Sequence, residues 1–337
     1  MAARVTIREV AAVADVAVGT VSHYLNHPDR VSDEKAARIR AAIENLGFVR
    51  NNAGRQLRLG TSSTIAYIAP DVSNPYFAEI AEAIEDRAAE RDVALFIANA
   101  HRDPAREEEY LDLFEQYQFR GLLVGSHETI EDRLARLRRT GTPAVLVGYN
   151  AGAEQPSLSV DDIAGGRLAA EHLLDIGCER ICYVGGPLGL KQIADRLSGA
   201  GDMVRRSSTA TLEVIDTTDR TLAGGRAVGE ALLRRDPSRR PDGIFTVNDL
   251  LALGIMQALV LGGVRVPEDV AIVGYDDIAF GESSLIPLTT IHTSHRAFGF
   301  AAVDLLFDVI DGTVGERRRV FEPELVARRS TERTPRA

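Results

Sequence analysis

A small all-helical N-terminal unit joined to two doubly wound α/β lobes with parallel sheets is the architecture that this 337-residue sequence predicts. Three observations carry the prediction. Near the N-terminus, Ile7, Val10, Ala11 and Ala14 fall at i, i+3, i+4 and i+7, one apolar helical stripe. From about residue 62, short β-rich apolar runs alternate with amphipathic helical stretches, the pattern of parallel strands covered on both faces. The length exceeds one ordinary domain and fits two or three. Two such sheets in about 270 residues imply two lobes with a cleft between them.

In chain order, Thr6-Ile-Arg-Glu9 reads as a capping box in which the Thr hydroxyl and Glu carboxylate satisfy the first free N–H groups reciprocally. A break at Asp15-Val16 leads to a second short helix. Its Val18, Val21 and Leu25 face inward, leaving Gly19, Thr20, Ser22 and His23 outward. Pro28 ends it, lacking the N–H that continues the ladder. Ser32 is placed to cap a third helix carrying Ile39, Ala42, Ile43 and Leu46, stopped by Gly47. A fourth helix is possible before residue 60, where 50–60 form a polar, basic linker. Strands are expected at 64–69, 93–98, 122–125, 144–147, 181–185, 212–215, 243–247 and 271–274. Amphipathic helices lie between them, such as the one bearing Phe77, Ile80, Ala81 and Ile84.

Composition narrows the function. The apolar fraction of 45% suits a soluble globular chain. No apolar run approaches the roughly 18 residues a membrane span needs. The start lacks a signal peptide's apolar stretch, so a cytoplasmic protein is expected. Cys178 and Cys182 are spaced poorly for metal and read as ordinary buried thiols. The net charge of −10 argues against nucleic acid until its distribution is read. Residues 1–60 hold nine bases against six acids, a charge of +3 that leaves −13 on the rest. A basic head on an acidic body confines phosphate attraction to one end.

Two short helices about a tight turn, with polar groups outward on the second, suit a helix-turn-helix, although periodicity alone also admits an unrelated small bundle. The residues go further. Val5-Thr-Ile-Arg-Glu-Val-Ala11, Thr20-Val-Ser-His-Tyr-Leu-Asn26, Val31-Ser32, Leu46-Gly-Phe48, Asn51 and Arg55-Gln-Leu57 resemble the headpiece of the lactose-repressor (LacI/GalR) family. The resemblance continues in order through Asn74-Pro-Tyr-Phe77, Asp195-Arg-Leu197, Asn248-Asp249, Val266-Pro267, Gly274-Tyr-Asp-Asp277 and Pro287-Leu-Thr-Thr290.

That resemblance implies a ligand-responsive DNA-binding regulator, most often a repressor, whose body has lobes of the periplasmic-binding-protein-like type. It implies a helix-turn-helix headpiece over 1–49, a hinge over 50–60 and a two-lobed effector and dimerisation domain over 61–330. The N-lobe would take about 61–161 and 291–320, the C-lobe about 162–290 and 321–330. Val18, Gly19 and His23 occupy the family's base-reading positions, with Thr20 and Ser22 on phosphates. Thr6, Asn26, Asn51, Arg55 and Leu57 complete the implied DNA contacts, Leu57 wedging into the minor groove. His23 stands where Arg is usual, and an imidazole offers a narrower donor set than the guanidinium fork. An operator that departs from the usual half-site is therefore expected. Ala17 replaces a common capping Ser, Asp15 a turn Gly, Gly54 an Ala and Arg50 a Pro.

In the cleft, Tyr76 and Phe77 would supply apolar surface, Arg196 a donor, Asp276 an acceptor and Asn248 further hydrogen bonds, with Asp71 and Thr293 as weaker candidates. Alternatively Arg196 and Asp276 pair with each other and Tyr76 only packs. Gly148 sits where sugar-binding relatives carry an acid. The stretch 199–217 is short, its helix interrupted by Arg205-Arg-Ser-Ser. The implied effector is a sugar or nucleoside-like molecule. The implied partners are double-stranded, pseudo-palindromic operator DNA and a second copy of the chain, because the polar C-terminus lacks a leucine-heptad tail. No cofactor, metal or membrane partner is expected. An enzyme is disfavoured by the lack of G-x-S-x-G, P-loop and H-E-x-x-H motifs. Gly225-Arg-Ala-Val-Gly229 suits helix packing better than a nucleotide loop. His292 and His295, on an expected strand, would point to opposite faces. A periplasmic-type binding protein without DNA function remains the alternative.

Overall fold

The computed structural model describes residues 5–49, 62–126, 130–149, 152 and 154–333. The chain divides into two compact units, Met1–Thr61 and Ser62–Ala337. Asn51, Arg55 and Leu57, with the rest of the linker, lie outside the described residues.

The first unit holds α1 (Ile7–Val13), α2 (Val18–Asn26), a 3₁₀ turn (Pro28–Arg30) and α3 (Asp33–Leu46). The capping box forms: Thr6 N donates to Glu9 Oε2 at 2.6 Å, and Glu9 N to the Thr6 hydroxyl at 3.4 Å. Hydrogen bonds from Thr6 hold the Glu9 carboxyl below its usual range. Between α1 and α2, Asp15 takes φ of +51°, the left-handed conformation that an Asp tolerates better than most side chains. Arg38 Nη2 donates to the Asp15 carbonyl at 3.1 Å and fixes the turn. Ser32 occupies the N-cap of α3 but makes no side-chain cap bond, contrary to expectation. Gly47 ends the helix with φ of +61°. Val10, Ala11, Ala14, Val21, Ile39 and Ala42 form the core. Val18 is not inward as its helical position suggested; it is 42% exposed.

The second unit contains two six-stranded sheets. The first lobe supplies β1 (Thr64–Ala69), α4 (Pro75–Ala89), β2 (Ala94–Asn99), α5 (Pro104–Gln116), β3 (Leu122–Gly125), α6 (Glu131–Arg139), β4 (Ala144–Val147) and β5 (Ser157–Val160). The chain then crosses to α7 (Asp162–Asp175), β6 (Arg180–Val184), α8 (Lys191–Arg206), β7 (Thr211–Ile215), α9 (Leu222–Leu233), β8 (Gly243–Thr246), α10 (Asp249–Leu261), β9 (Ala271–Tyr275), α11 (Ala279–Glu282) and β10 (Thr289–His292). It returns as α12 (His295–Asp311) and β11 (Arg318–Phe321), and crosses once more into β12 (Glu324–Val326). The sheet orders are β11-β5-β4-β3-β1-β2 and β12-β10-β9-β8-β6-β7. Every described pairing is parallel except β10 with β12.

Apolar runs such as Leu122-Leu-Val-Gly125 and Ala144-Val-Leu-Val147 are buried throughout, as strands covered on both faces must be. Separate apolar clusters fill the two faces of each sheet. Three segments therefore link the lobes: 160–162, 292–295 and 321–324. His295 begins α12 rather than lying on a strand with His292. Arg205-Arg-Ser-Ser does not interrupt a helix either, since α8 simply ends at Arg206. No helix among the described residues is long and apolar enough to cross a membrane. Both cysteines are buried free thiols, with burial pushing each up to about 12.

Candidate ligand cleft and nucleic-acid interface

The cleft lies at the carboxyl ends of the strands of both sheets, where helix N-termini also gather. Pro70 and Asp71 follow β1, Ser126 follows β3 and Gly148 follows β4 on the first side, with Asp162 at the crossover after β5. Arg220 and Thr221 follow β7, Val247 and Asn248 follow β8, and Asp276 follows β9 on the second. The space inside it that admits a water-sized molecule is about 70 Å³, and its mouth is open to solvent.

Of the seven residues expected here, Asp71, Tyr76, Phe77, Arg196, Asn248 and Asp276 line the cleft. Thr293 does not; it is buried in the 292–295 crossover. Arg196 and Asp276 do not pair. Arg196 Nε instead donates to Asp162 Oδ1 at 2.8 Å, and its Nη1 to the Val247 carbonyl at 2.5 Å. Its guanidinium carbon lies 3.5 Å from the centre of the Tyr275 ring, close enough for a cation–π contact. The Tyr275 hydroxyl donates to the same Asp162 oxygen at 3.0 Å. Burial raises the Asp162 carboxyl against the pull of Arg196 and Tyr275. Asp162 was missed because the short polar strand before it, Ser157-Leu-Ser-Val160, carries no long apolar run.

Asp276 receives Asn74 Nδ2 at 3.1 Å, a bond between lobes. A second bridge runs from Gln192 of α8 to the Gly148 carbonyl. His295 Nε2 lies 2.6 Å from the Asp276 carbonyl, and its Nδ1 is 2.6 Å from Glu79. Tyr76 both packs and lines the cleft, its ring edge-on to Phe77 and His295 at 5.1 Å each. Asn248 is already committed, accepting from Leu251 N as the cap of α10 and donating to the Arg220 carbonyl at 3.0 Å. Asp71 accepts from Ser73 N and its hydroxyl, and faces Arg102 Nη2 at 3.0 Å.

Burial pushes the Asp276 carboxyl up to about 6, offset in part by Arg196, Asn74 and His295 and reinforced by Asp162. Asp249, 0% exposed behind it, is raised for the same reason. An acid whose folded pKa lies above its unfolded value destabilises the fold where it is ionised, and the penalty is relieved as pH falls through the folded pKa. Asp276→Asn should therefore exceed the unmutated chain in stability at pH 7.5 by on the order of 2 kcal/mol. The difference should shrink between about pH 6 and pH 4. Urea unfolding at the two ends of that window checks it; a constant difference overturns the assignment.

On the first unit, Val18, Gly19, His23 and Asn26 are exposed and Thr20 and Ser22 half-buried on α2. A side chain at Gly19 would enter open space. Asn26 Nδ2 donates to the Ser22 carbonyl at 2.6 Å. Exposed Thr6 gives its hydroxyl to Glu9 at 2.8 Å.

Residues 6–51 match the profile of bacterial regulatory proteins of the lacI family, and residues 170–331 that of a periplasmic binding protein-like domain. The chain is 32% identical over 327 residues to the ribose operon repressor of Halalkalibacterium halodurans, covering 97% of each. This chain belongs to the lacI family. Another member, the transcriptional repressor PurR of Aliivibrio fischeri, is 31% identical over 333 residues, covering 96% of this chain and 98% of the relative. Among solved members, the Lac repressor dimer bound to operator and an anti-inducer superposes with a TM-score of 0.82 at 26% identity, covering 98% of this chain and 99% of that one. The architecture is accordingly that of the lacI family, a helix-turn-helix headpiece and a two-lobed α/β body.

Proposed function

We propose that this chain is a ligand-responsive transcriptional repressor. It binds a pseudo-palindromic operator as a homodimer and is switched by a small molecule held in the cleft, possessing no catalytic activity of its own and acting in the cytoplasm where its DNA lies. The observation that carries this reading is the pairing of two sites in one chain: an exposed polar face on the second helix of a helix-turn-helix, and a cleft whose polar groups come from both lobes. A binding protein without DNA function has no use for the first. In this reading Val18, Gly19 and His23 face base edges, while Thr6, Thr20, Ser22 and Asn26 hold the backbone. Asn51, Arg55 and Leu57 act from the hinge. In the cleft, Asp71, Tyr76, Phe77, Arg196, Asn248 and Asp276 surround the effector, with Asp162 orienting Arg196. Ligand binding strengthens or breaks the bridges Asn74–Asp276 and Gln192–Gly148, and by linkage effector and operator affinities change each other equally.

Gel shifts with genomic fragments test the reading. A specific fragment should be retarded, with binding that weakens steeply as salt rises because phosphate contacts release counterions. His23→Ala should lose about 1–3 kcal/mol of discrimination between that fragment and unrelated DNA, leaving the salt dependence close to unchanged. Absence of specific binding with and without candidate ligands rejects the proposal.

A further inference from the structure

Three arginines line the cleft, and their partners differ. Arg102 faces Asp71 at 3.0 Å and Arg196 faces Asp162 at 2.8 Å. Arg220 has no such carboxylate within ion-pair distance among the described residues, and its Nε is buried without a hydrogen-bond partner. The backbone that presents it is fixed. Asn248 Nδ2 donates to the Arg220 carbonyl at 3.0 Å, and the next residue, Thr221, caps α9 through Gly224 N at 3.2 Å. Arg220 is thus held at the cleft wall by a braced turn.

Arg220 is half-buried, and a guanidinium N–H removed from water, as its Nε is, is unfavourable unless something else supplies the missing acceptor. Burial lowers the Arg220 pKa to about 10, with Arg102 and Arg196 adding repulsion and Asp276 and Asp71 offsetting part of it. The starts of α4 at Asn74, α9 at Thr221 and α10 at Asn248 open on the same cavity. Their free N–H groups and dipoles favour negative charge there. Asp276 offers the opposite chemistry, a buried carboxylate able to accept from hydroxyls.

We propose that the effector is an anion, a polyhydroxylated molecule whose carboxylate or phosphate group sits on Arg220 while its hydroxyls meet Asp276. This deepens the cleft assignment above and rests on it. A neutral sugar satisfies Asp276 but leaves Arg220 unpaired. An anionic group completes both.

The test uses the full chain, thermal unfolding, and inorganic phosphate or D-gluconate as probes against chloride at matched ionic strength and pH 7.5. At least one probe should raise Tm saturably by about 2–4 °C beyond chloride. The probe that does so distinguishes a phosphate site from a carboxylate site. Arg220→Met, which removes the unpaired charge, should raise the Tm in chloride and lose the response to both probes. Arg220→Gln, polar but uncharged, should lose it likewise if the Met variant folds poorly. Anion bound elsewhere, on the DNA-reading face for instance, would persist in both variants. A full response in either variant, or no response beyond chloride in the unmutated chain, overturns the proposal. Gel shifts on the same samples separate this outcome from failure of the repressor reading, since operator binding without any anion response condemns only the anion.

Discussion

Arg196→Ala is expected to destabilise the two-lobed unit by about 3–5 kcal/mol, the loss seen when one partner of a buried ion pair is removed. Three attachments disappear together: the bond to Asp162, the bond to the Val247 carbonyl and the stack on Tyr275. Asp162, buried in the unmutated chain, then keeps only the Tyr275 hydroxyl as a donor from this group. Its carboxyl, already raised by burial, rises further. The sign of the pH dependence follows. The variant's deficit is largest at neutral pH, where the unpaired carboxylate is charged, and recovers as acid protonates it. A merely truncated packing residue would show no such recovery. The headpiece has its own core, so a DNA-bound fraction should remain where the body stays folded, but without response to effector. Urea unfolding across pH and gel shifts with effector read the two effects separately. A variant that still responds normally refutes the role given to Arg196. Arg196→Lys keeps the charge but not the planar fork over Tyr275, and should fall between the two.

The fold was legible where the chain obeys one strong period. Leu122-Leu-Val-Gly125 and Ala144-Val-Leu-Val147 are unbroken apolar runs, and buried parallel strands require that. Strands of mixed character escaped, Ser157-Leu-Ser-Val160, Arg318-Arg-Val-Phe321 and Glu324-Leu-Val326, while the strand expected at His292 was found as Thr289-Thr-Ile-His292 without its side-chain partners. Their polar residues are explained by position. Thr289 and Thr290 are 0% exposed because their hydroxyls are bonded, Thr290 to Asp249 at 2.6 Å, which no periodicity reveals. The capping box was readable because its two partners are three residues apart. Arg196 and Asp276 could be placed at the cleft by resemblance, but not their partners. Asp162 is 34 residues from Arg196, and Asn74 is 202 from Asp276. The first pair joins two packed helices of one lobe and the second spans the two lobes, and sequence proximity carries no trace of either. Arg220 escaped for a related reason, since an unpaired side chain is recognised only once every neighbour is known.

Two glycines set the distance across which Arg196 reaches Asp162. Helices α7 and α8 pack so closely that a methyl at Gly166 would lie far inside van der Waals contact of the Arg196 carbonyl oxygen, and one at Gly199 inside that of Ile163. Both obstacles are backbone and cannot rotate away. In an exposed helix interior, glycine to alanine would stabilise by about 0.8–1 kcal/mol through propensity alone. Here the clash opposes that gain and should win, because overpacking of this kind typically costs about 1–3 kcal/mol and sometimes more. Gly199→Ala should therefore be destabilising, and Gly199→Val, with its branched side chain, should cost about 3 kcal/mol or more. The helices can relieve the overlap only by separating, and separation carries Arg196 and Gln192 on α8 away from Asp162 at the start of α7 and from Gly148. The expected phenotype couples lowered stability to a weakened effector response, whereas Gly47→Ala at a helix end of the other unit, strained by its φ of +61°, should lower stability of the headpiece alone. Denaturant melts paired with effector titrations distinguish the cases. If Gly199→Ala proves as stable as the unmutated chain or more so, the close crossing does not hold the ion pair.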